Sequence, residues 1–467
     1  MSTARRRPGR KAKARSPFIV LDRHAAGIDV GAAEHWVAVP PDADPIPVRC
    51  FGTFTADLQA LAAWLLACGV TSVALEATGV YWIPLFELLE ARGLRVRLVD
   101  ARQTRALPGR PKDDVRDCQW IQRLHSCGLL RAAFRPDDQV VVLRSYLRQR
   151  QMLIGCASDH IRHMQKALEQ LNVKLPEVVA DITGVTGMSI IQAVLAGERD
   201  PVQLAKLRNQ HCKQDEATIA KALHGNWRAE HLFCLRQALE LYAFYQRQLA
   251  ACDRQLDAQL QTFADRSAQA PVPPRPTGKY KKRHKHQGNV PAFDARTRLY
   301  RMSGVDLTRI EGIEEGTALV LLSEIGLDMN RWATEKHFCS WLGLCPQHKI
   351  SGGRLLSRTV RPGVNRAAQA FRLAARGLER SQSALGAFYR RLKSRLGAPK
   401  AITAAAHKLA RLVYSLLKHG QAYTAQGLEE YEREYQERQV RNLTRKAREL
   451  GYTLVKPEQA AAAPVSG

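Results

Sequence analysis

The sequence predicts a mixed α/β domain near the N-terminus and a basic, mostly helical remainder. Three observations predict it. Short alternating or wholly apolar runs fill positions 26–100, separated by stretches of helical periodicity. From about residue 137 onward, apolar residues recur at three-four spacing over long stretches. The 467 residues carry 45% hydrophobic content, enough for two or three cores, with a net charge of +27.

Ala26–Gly31 opens the fold. Ile28 and Val30 alternate with Asp29, so on a strand Asp29 points to the opposite face. His35–Val39 reads as a second strand after a short Gly-Ala-Ala turn, and Arg49–Phe54 as a third. Thr55 is placed to cap the next helix, whose apolar face would carry Leu58, Leu61, Leu65 and Leu66. Val70–Leu75 is mostly apolar, as a central strand requires, and ends at Glu76 just before Ala77-Thr-Gly79. A helix over about Tyr81–Arg92 and a fifth strand over Arg95–Asp100 follow. This order matches a ribonuclease-H-like topology, a central sheet with acids at strand ends.

Gly109–Cys118 reads Gly-Arg-Pro-Lys-Asp-Asp-Val-Arg-Asp-Cys. On a helix, Asp114 and Asp117 sit three apart and share one face. Carboxylates held that close repel, and a divalent cation removes the conflict; Mg²⁺ prefers hard oxygen ligands of this kind. Taken alone, the pair also fits an acidic helix N-terminus favoured by the macrodipole. Asp29, Glu76, Asp114 and Asp117 converging at one sheet edge would suit two Mg²⁺ ions bridged by a phosphodiester. Lys112 stands beside them as a nucleic-acid contact.

The rest of the chain suits a polyanion. Arg5–Arg15 holds seven basic residues and no acid, which excludes a secretory signal, and no run approaches a membrane span. Ten cysteines without a CxxC pair read as free thiols of a reducing cytoplasm. Ile161, Met164, Leu168 and Leu171 form one apolar stripe, and Leu235, Leu239, Tyr242, Tyr245, Leu249, Cys252, Leu256 and Leu260 form another. Either an antiparallel pair or a dimer seam would use them. Ile182–Gly187 and Ile310–Gly316 both resemble a helix-hairpin-helix turn, in which Gly312 and Gly316 would let backbone approach phosphate; a plain connector fits the first equally. Lys281, Lys282 and Arg283 lie in an acid-free basic linker suited to nucleic-acid backbone. Ser351 precedes two glycines in an expected loop followed by Arg354, Arg358 and Arg361, where a serine can bind phosphate or attack it. The helices after Asn365 are basic and amphipathic.

The expected organisation is a basic disordered arm (1–22), an acid-bearing catalytic domain (23–135), a helical coiled-coil connector (136–262), a basic Pro-rich linker (263–293), a mostly helical domain with the serine (294–422), and a charged helix with a disordered tail (423–467).

GIDVG at Gly27–Gly31, LEATGVYW at Leu75–Trp82, KDDVRD at Lys112–Asp117, IEGIEEGTA at Ile310–Ala318 and WLGLCPQHKISGG at Trp341–Gly353 carry a resemblance over most of residues 20–420. The chain resembles the DEDD transposases of bacterial insertion sequences, a family understood as bridge-RNA-guided recombinases. That resemblance implies a Holliday-junction-resolvase-like (RuvC-type) N-terminal domain, a coiled-coil connector and a C-terminal transposase domain. It places the four metal-binding acids on Asp29, Glu76, Asp114 and Asp117, and a catalytic serine on Ser351, with Ser357 as the fallback. Where the family phrase has Thr or Ser this chain has Asp113, expected to crowd the site as a fifth carboxylate. The basic linker also lengthens the connector.

The resemblance further implies Mg²⁺, a serine–DNA covalent intermediate, strand exchange without net hydrolysis, and a structured RNA pairing with donor and target DNA. It implies a homo-oligomer, dimer or tetramer, whose protomers share active sites in a nucleoid-associated cytoplasmic enzyme. Two other readings stay open: a metal-dependent endonuclease resolving branched DNA by water attack, and a non-catalytic nucleic-acid-binding scaffold.

Overall fold

Five short strands form the first sheet of the computed structural model, which describes residues 19–101, 113–274, 289–360 and 365–454. Strands β1 (Ala25–Val30), β2 (Glu34–Ala38) and β3 (Val48–Gly52) run antiparallel in a meander. Helix α1 (Thr55–Ala67) leads to β4 (Ser72–Glu76), which pairs parallel to β1. Helix α2 (Trp82–Ala91) leads to β5 (Arg95–Val99), parallel to β4. The order is β3-β2-β1-β4-β5, so β1 and β4 are central, and all five residues of β4 are buried.

Alternation along the strands assigns the two faces. Ile28, Val30, Val73 and Leu75 pack with Leu61, Leu65, Leu85 and Leu89 of α1 and α2. Ala74 packs on the other face with Ile121 and Leu124 of α3 (Asp114–Ser126). Asp29 and Glu76, each an even number of residues from Gly27 or Ala74, belong to this α3 face. Two local expectations change. Thr55 is the first helical residue of α1, not its cap: Phe54 is the N-cap, and the Asp57 carboxylate accepts its backbone N–H at 3.2 Å. Leu66 is exposed, and Trp64 takes its place in the core beside Leu58, Leu61 and Leu65.

The chain divides between Arg135 and Pro136 into two compact units. The second opens with α4 (Asp138–Gln170), a 33-residue helix. The short helices α5 (Leu175–Val178), α6 (Val185–Ala196), α7 (Pro201–Ala205) and α8 (Glu216–Ala222) follow, and α9 (Ala229–Gln261) returns for another 33 residues. Gln259 bonds the Gln139 carbonyl, Cys252 bonds the Tyr146 carbonyl, and Asn226 N–H reaches the Leu171 carbonyl. This falling register makes α4 and α9 an antiparallel pair, so the two apolar stripes meet each other within one chain. Met164, Leu168 and Leu171 join Leu235 and the short helices in a common core. Ile182–Gly184 leads into α6, and Gly187 in its first turn lies against the Ile182 carbonyl, where a Cβ would come within 2.3 Å.

A buried ion pair, Arg150 with Asp253, joins α4 to α9, and both partners also bind the incoming chain at Asn289 O and Ala292 N. Beyond it come α10 (Ala295–Ser303), α11 (Glu315–Ile325), α12 (Glu335–Trp341), a hairpin of β6 (Pro346–Ser351) and β7 (Arg354–Val360), α13 (Arg366–Gly377), α14 (Ala384–Leu396), α15 (Ala398–His419) and α16 (Gln421–Glu449). Phe338, Phe371 and Tyr389 are fully buried there. Among the described residues, no helix is long and apolar enough to cross a membrane.

Candidate active site

The acids are placed by small residues beneath a helix. Gly27 lies so close to α3 that a Cβ there would stand 2.1 Å from Gln122 N and 2.6 Å from Cys118 O. The Gln122 side chain donates to Ala25 O at 3.1 Å, and Leu21 N–H reaches Ser126 O at 2.8 Å. Helix α3 therefore runs antiparallel to β1. One helical turn rises ~5.4 Å, and two strand residues advance roughly 6.6 Å, so the two elements keep step. Gln122 N and Cys118 O both face Gly27, so the start of α3 lies toward the Asp29 end of β1, where the Asp29 charge acts on Cys118.

Glu76 joins them from the neighbouring strand. Ile28 pairs with Leu75 in parallel register, so Asp29 and Glu76 follow side by side. Glu76 is 8% exposed and Asp29 is half-buried, whereas Asp114 is exposed and Asp117 half-buried on the first turn of α3. Electrostatics carry the same proximity. Burial, with Asp29 and Asp113 adding to it, pushes the Cys118 thiol up to about 12. Burial and a hydrogen bond to Glu34 push Cys50 up to about 11, and Asp114 contributes.

Asp113 plays a different part from the crowding expected of it. Its side chain accepts from Val115 N at 3.2 Å and makes it the N-cap of α3, with Arg116 3.8 Å away. Ser, Thr and Asp are interchangeable in that role because each offers an oxygen to the first free N–H groups. Asp113 therefore acts here as a helix cap, and helix α3 begins at Asp114.

The Glu34, Trp36 and Cys50 group on this face has no signature in the sequence. Trp36 pairs with both Asp29 and Cys50 across the sheet, and the Glu34 carboxylate accepts from Trp36 Nε1 at 3.0 Å and from Cys50 Sγ at 3.3 Å. The Trp36 hydrogen bond holds the Glu34 carboxyl below its usual range. Only the alternation of Glu34 with Trp36 hints at it, and that pattern is shared by any edge-proximal strand. Among the described residues, no group of three His, Cys, Asp or Glu side chains is gathered to hold a metal ion. The donor chemistry at this sheet end is nonetheless that of a hard dication, since all four expected ligands are carboxylates.

In the second unit, Ser351 is not in an irregular loop. It ends β6 and pairs with Arg354 across Gly352 and Gly353, whose φ values of 53° and 72° make a tight left-handed turn. Such a turn matches the twist of the two strands and admits glycine at both central positions. Ser351 and Arg354 are exposed at the tip. Ser357 lies further down β7, its Oγ 3.1 Å from Thr359 Oγ1. Gly312 serves packing, since its φ is +86° and a Cβ would meet Ala374 O of α13 at 2.8 Å. Gly316, in the first turn of α11, has open space around it. Glu311, Glu314 and Glu315 surround these glycines, a poor setting for a phosphate. Lys112, Lys281, Lys282, Arg283 and Arg361 lie outside the described residues, as does the Arg358 side chain.

An acid-bearing mixed sheet faced by an acidic helix start is compatible with a nucleic-acid-processing enzyme, and the class itself comes from family models of transposases. Residues 26–173 match a transposase model of the DEDD, IS110 type, and residues 306–390 match the transposase IS116/IS110/IS902 family. No curated protein matches the chain. The chain belongs to the IS110 family of DEDD transposases.

Proposed function

We propose that this transposase is a Mg²⁺-dependent, site-specific DNA recombinase that works through a serine–DNA intermediate. The observation that carries the reading is the register that brings Asp29, Glu76 and the first turn of α3 to one sheet end. In this reading residues 23–135 form a ribonuclease-H-like, RuvC-type domain and residues 294–422 the transposase domain.

Asp29, Glu76, Asp114 and Asp117 would hold Mg²⁺. When bound, the ion supplies Lewis-acid polarisation of a phosphodiester. The exposed Ser351 Oγ attacks the scissile phosphorus. A new Oγ–P bond forms, the deoxyribose oxygen leaves with its electron pair, and the serine proton passes to a base. Reversal by the exchanged strand rejoins DNA without net hydrolysis, because the phosphoserine ester conserves the bond. Arg354, which pairs with Ser351 across the turn, would neutralise phosphate charge. Donor and target DNA would be selected by a structured bridge RNA, with a homo-oligomer as the acting species.

The test expresses the gene with its native flanking DNA, so any guide RNA is supplied. Protein purified under denaturing conditions is then assayed for attached DNA. Adduct in the parent and in Ser357→Ala, and none in Ser351→Ala or Asp29→Asn, is the expected result. Metal-dependent nicking that survives in Ser351→Ala, with no adduct anywhere, would replace this reading with a resolvase-like endonuclease.

A further inference from the structure

Helix α13 has two faces of opposite character. Ala367, Ala368, Ala370, Phe371, Ala374 and Ala375 are buried. Gly312 lets the preceding turn press against the backbone at Ala374. The outer face carries Arg366, Gln369 and Arg376, all exposed, half-buried Arg372, and Leu373, which is 70% exposed. No acid lies on α13. The next acid along the chain, Glu379, is paired with Lys393. Arg366 also donates to Gln151 at 3.4 Å.

We infer that the outer face of α13 reads base pairs in the major groove of duplex DNA. Arg366 and Arg376 are ten residues apart, about 15 Å along the axis, against a major groove about 12 Å wide. Their guanidinium groups can therefore reach phosphates on both walls. Between them stand the side chains that read base edges: an amide suited to adenine, a guanidinium suited to guanine, and an apolar tip suited to the thymine methyl. An A-form RNA helix is a poor fit, because its major groove is too narrow and deep to admit a helix. Part of the sequence selection then lies in the protein itself, in addition to any RNA pairing. This rests on the family's action on DNA and is independent of Ser351.

The experiment measures binding of the full chain in chelator, so a failed serine mechanism does not register. A duplex library with a randomised centre is selected and sequenced, and anisotropy is measured at several salt concentrations. The parent should enrich a short base preference. Gln369→Ala combined with Arg372→Ala should weaken the preferred duplex by about ten- to hundredfold and leave random duplex unchanged. Arg372→Lys, which keeps charge and loses the bidentate fork, should also lose preference without losing random-duplex affinity. Arg376→Ala should weaken all duplexes alike and lower the salt slope by about one. No enrichment by the parent, equal weakening of all duplexes by the double variant, unchanged binding in every variant, or tighter binding to duplex RNA than to DNA would each overturn the inference.

Discussion

Gly27→Ala tests whether the close approach of α3 to β1 assembles the acid site. The added carbon would stand 2.1 Å from Gln122 N and 2.6 Å from Cys118 O, both backbone atoms of a helix that cannot rotate away. An ordinary contact needs ~3.5 Å, so a rigid helix must retreat by roughly 1.4 Å. Overpacking of this kind costs about 1–3 kcal/mol. On the proposed function, displacing the acids that α3 carries by ~1 Å can cost about 10²-fold in rate. Hydrogen exchange followed by mass spectrometry reads the first effect, as faster exchange over Asp114–Ser126. Cleavage of flanking DNA reads the second. Parent-like exchange and parent-like cleavage in Gly27→Ala would refute the reasoning, since α3 could then seat without the gap that Gly27 leaves. Gly155→Ala, in the open interior of α4, is the control; it should stabilise that helix by about 1 kcal/mol and leave cleavage intact.

Asp113→Ser should keep both stability and cleavage, whereas Asp113→Ala should cost about 1 kcal/mol through the lost cap; thermal melts and nicking assays separate a cap from a metal ligand. Arg150→Ala should destabilise the helical unit by about 3–5 kcal/mol by stranding the Asp253 charge, and Arg150→Met with Asp253→Leu should recover most of it in denaturant titrations. His125 is buried against Ser72, 2.9 Å away, and burial, helped by Arg97, pushes its pKa down to about 4. The unfolded chain takes up that proton near pH 6.5, so it binds more protons than the folded form between about 6.5 and 4. Stability of the first unit should therefore fall across that window by about 3 kcal/mol, and His125→Gln should flatten the slope in pH-dependent melts.

Alternation and apolar runs were enough to read the five strands, their interleaved helices and the long apolar stripes from 137 onward. These signals are local, being fixed by which side chains a strand or helix can turn inward. Asp29, Glu76, Asp114 and Asp117 stood out because each sits at a fixed offset within a short phrase, and the strand register then sets Asp29 and Glu76 on adjacent central strands. What the sequence left open depended on partners distant along the chain. The two stripes could have served a dimer, and the falling register between α4 and α9 joins them within one chain. Asp113 looked like a fifth carboxylate until the helix start showed its oxygen committed to Val115 N. Ser351 was read as a loop residue because Gly-Gly signals a turn without saying that strands flank it. Gly312 read as a phosphate approach, yet the atom it approaches is the Ala374 carbonyl, more than sixty residues later in the chain. Thus the sequence alone determined the kinds of element and the chemical groups they carry, through side-chain periodicity. Only the tertiary structure decided which groups meet, because close packing is set by small residues such as Gly27 and Gly312 whose partners no local pattern names.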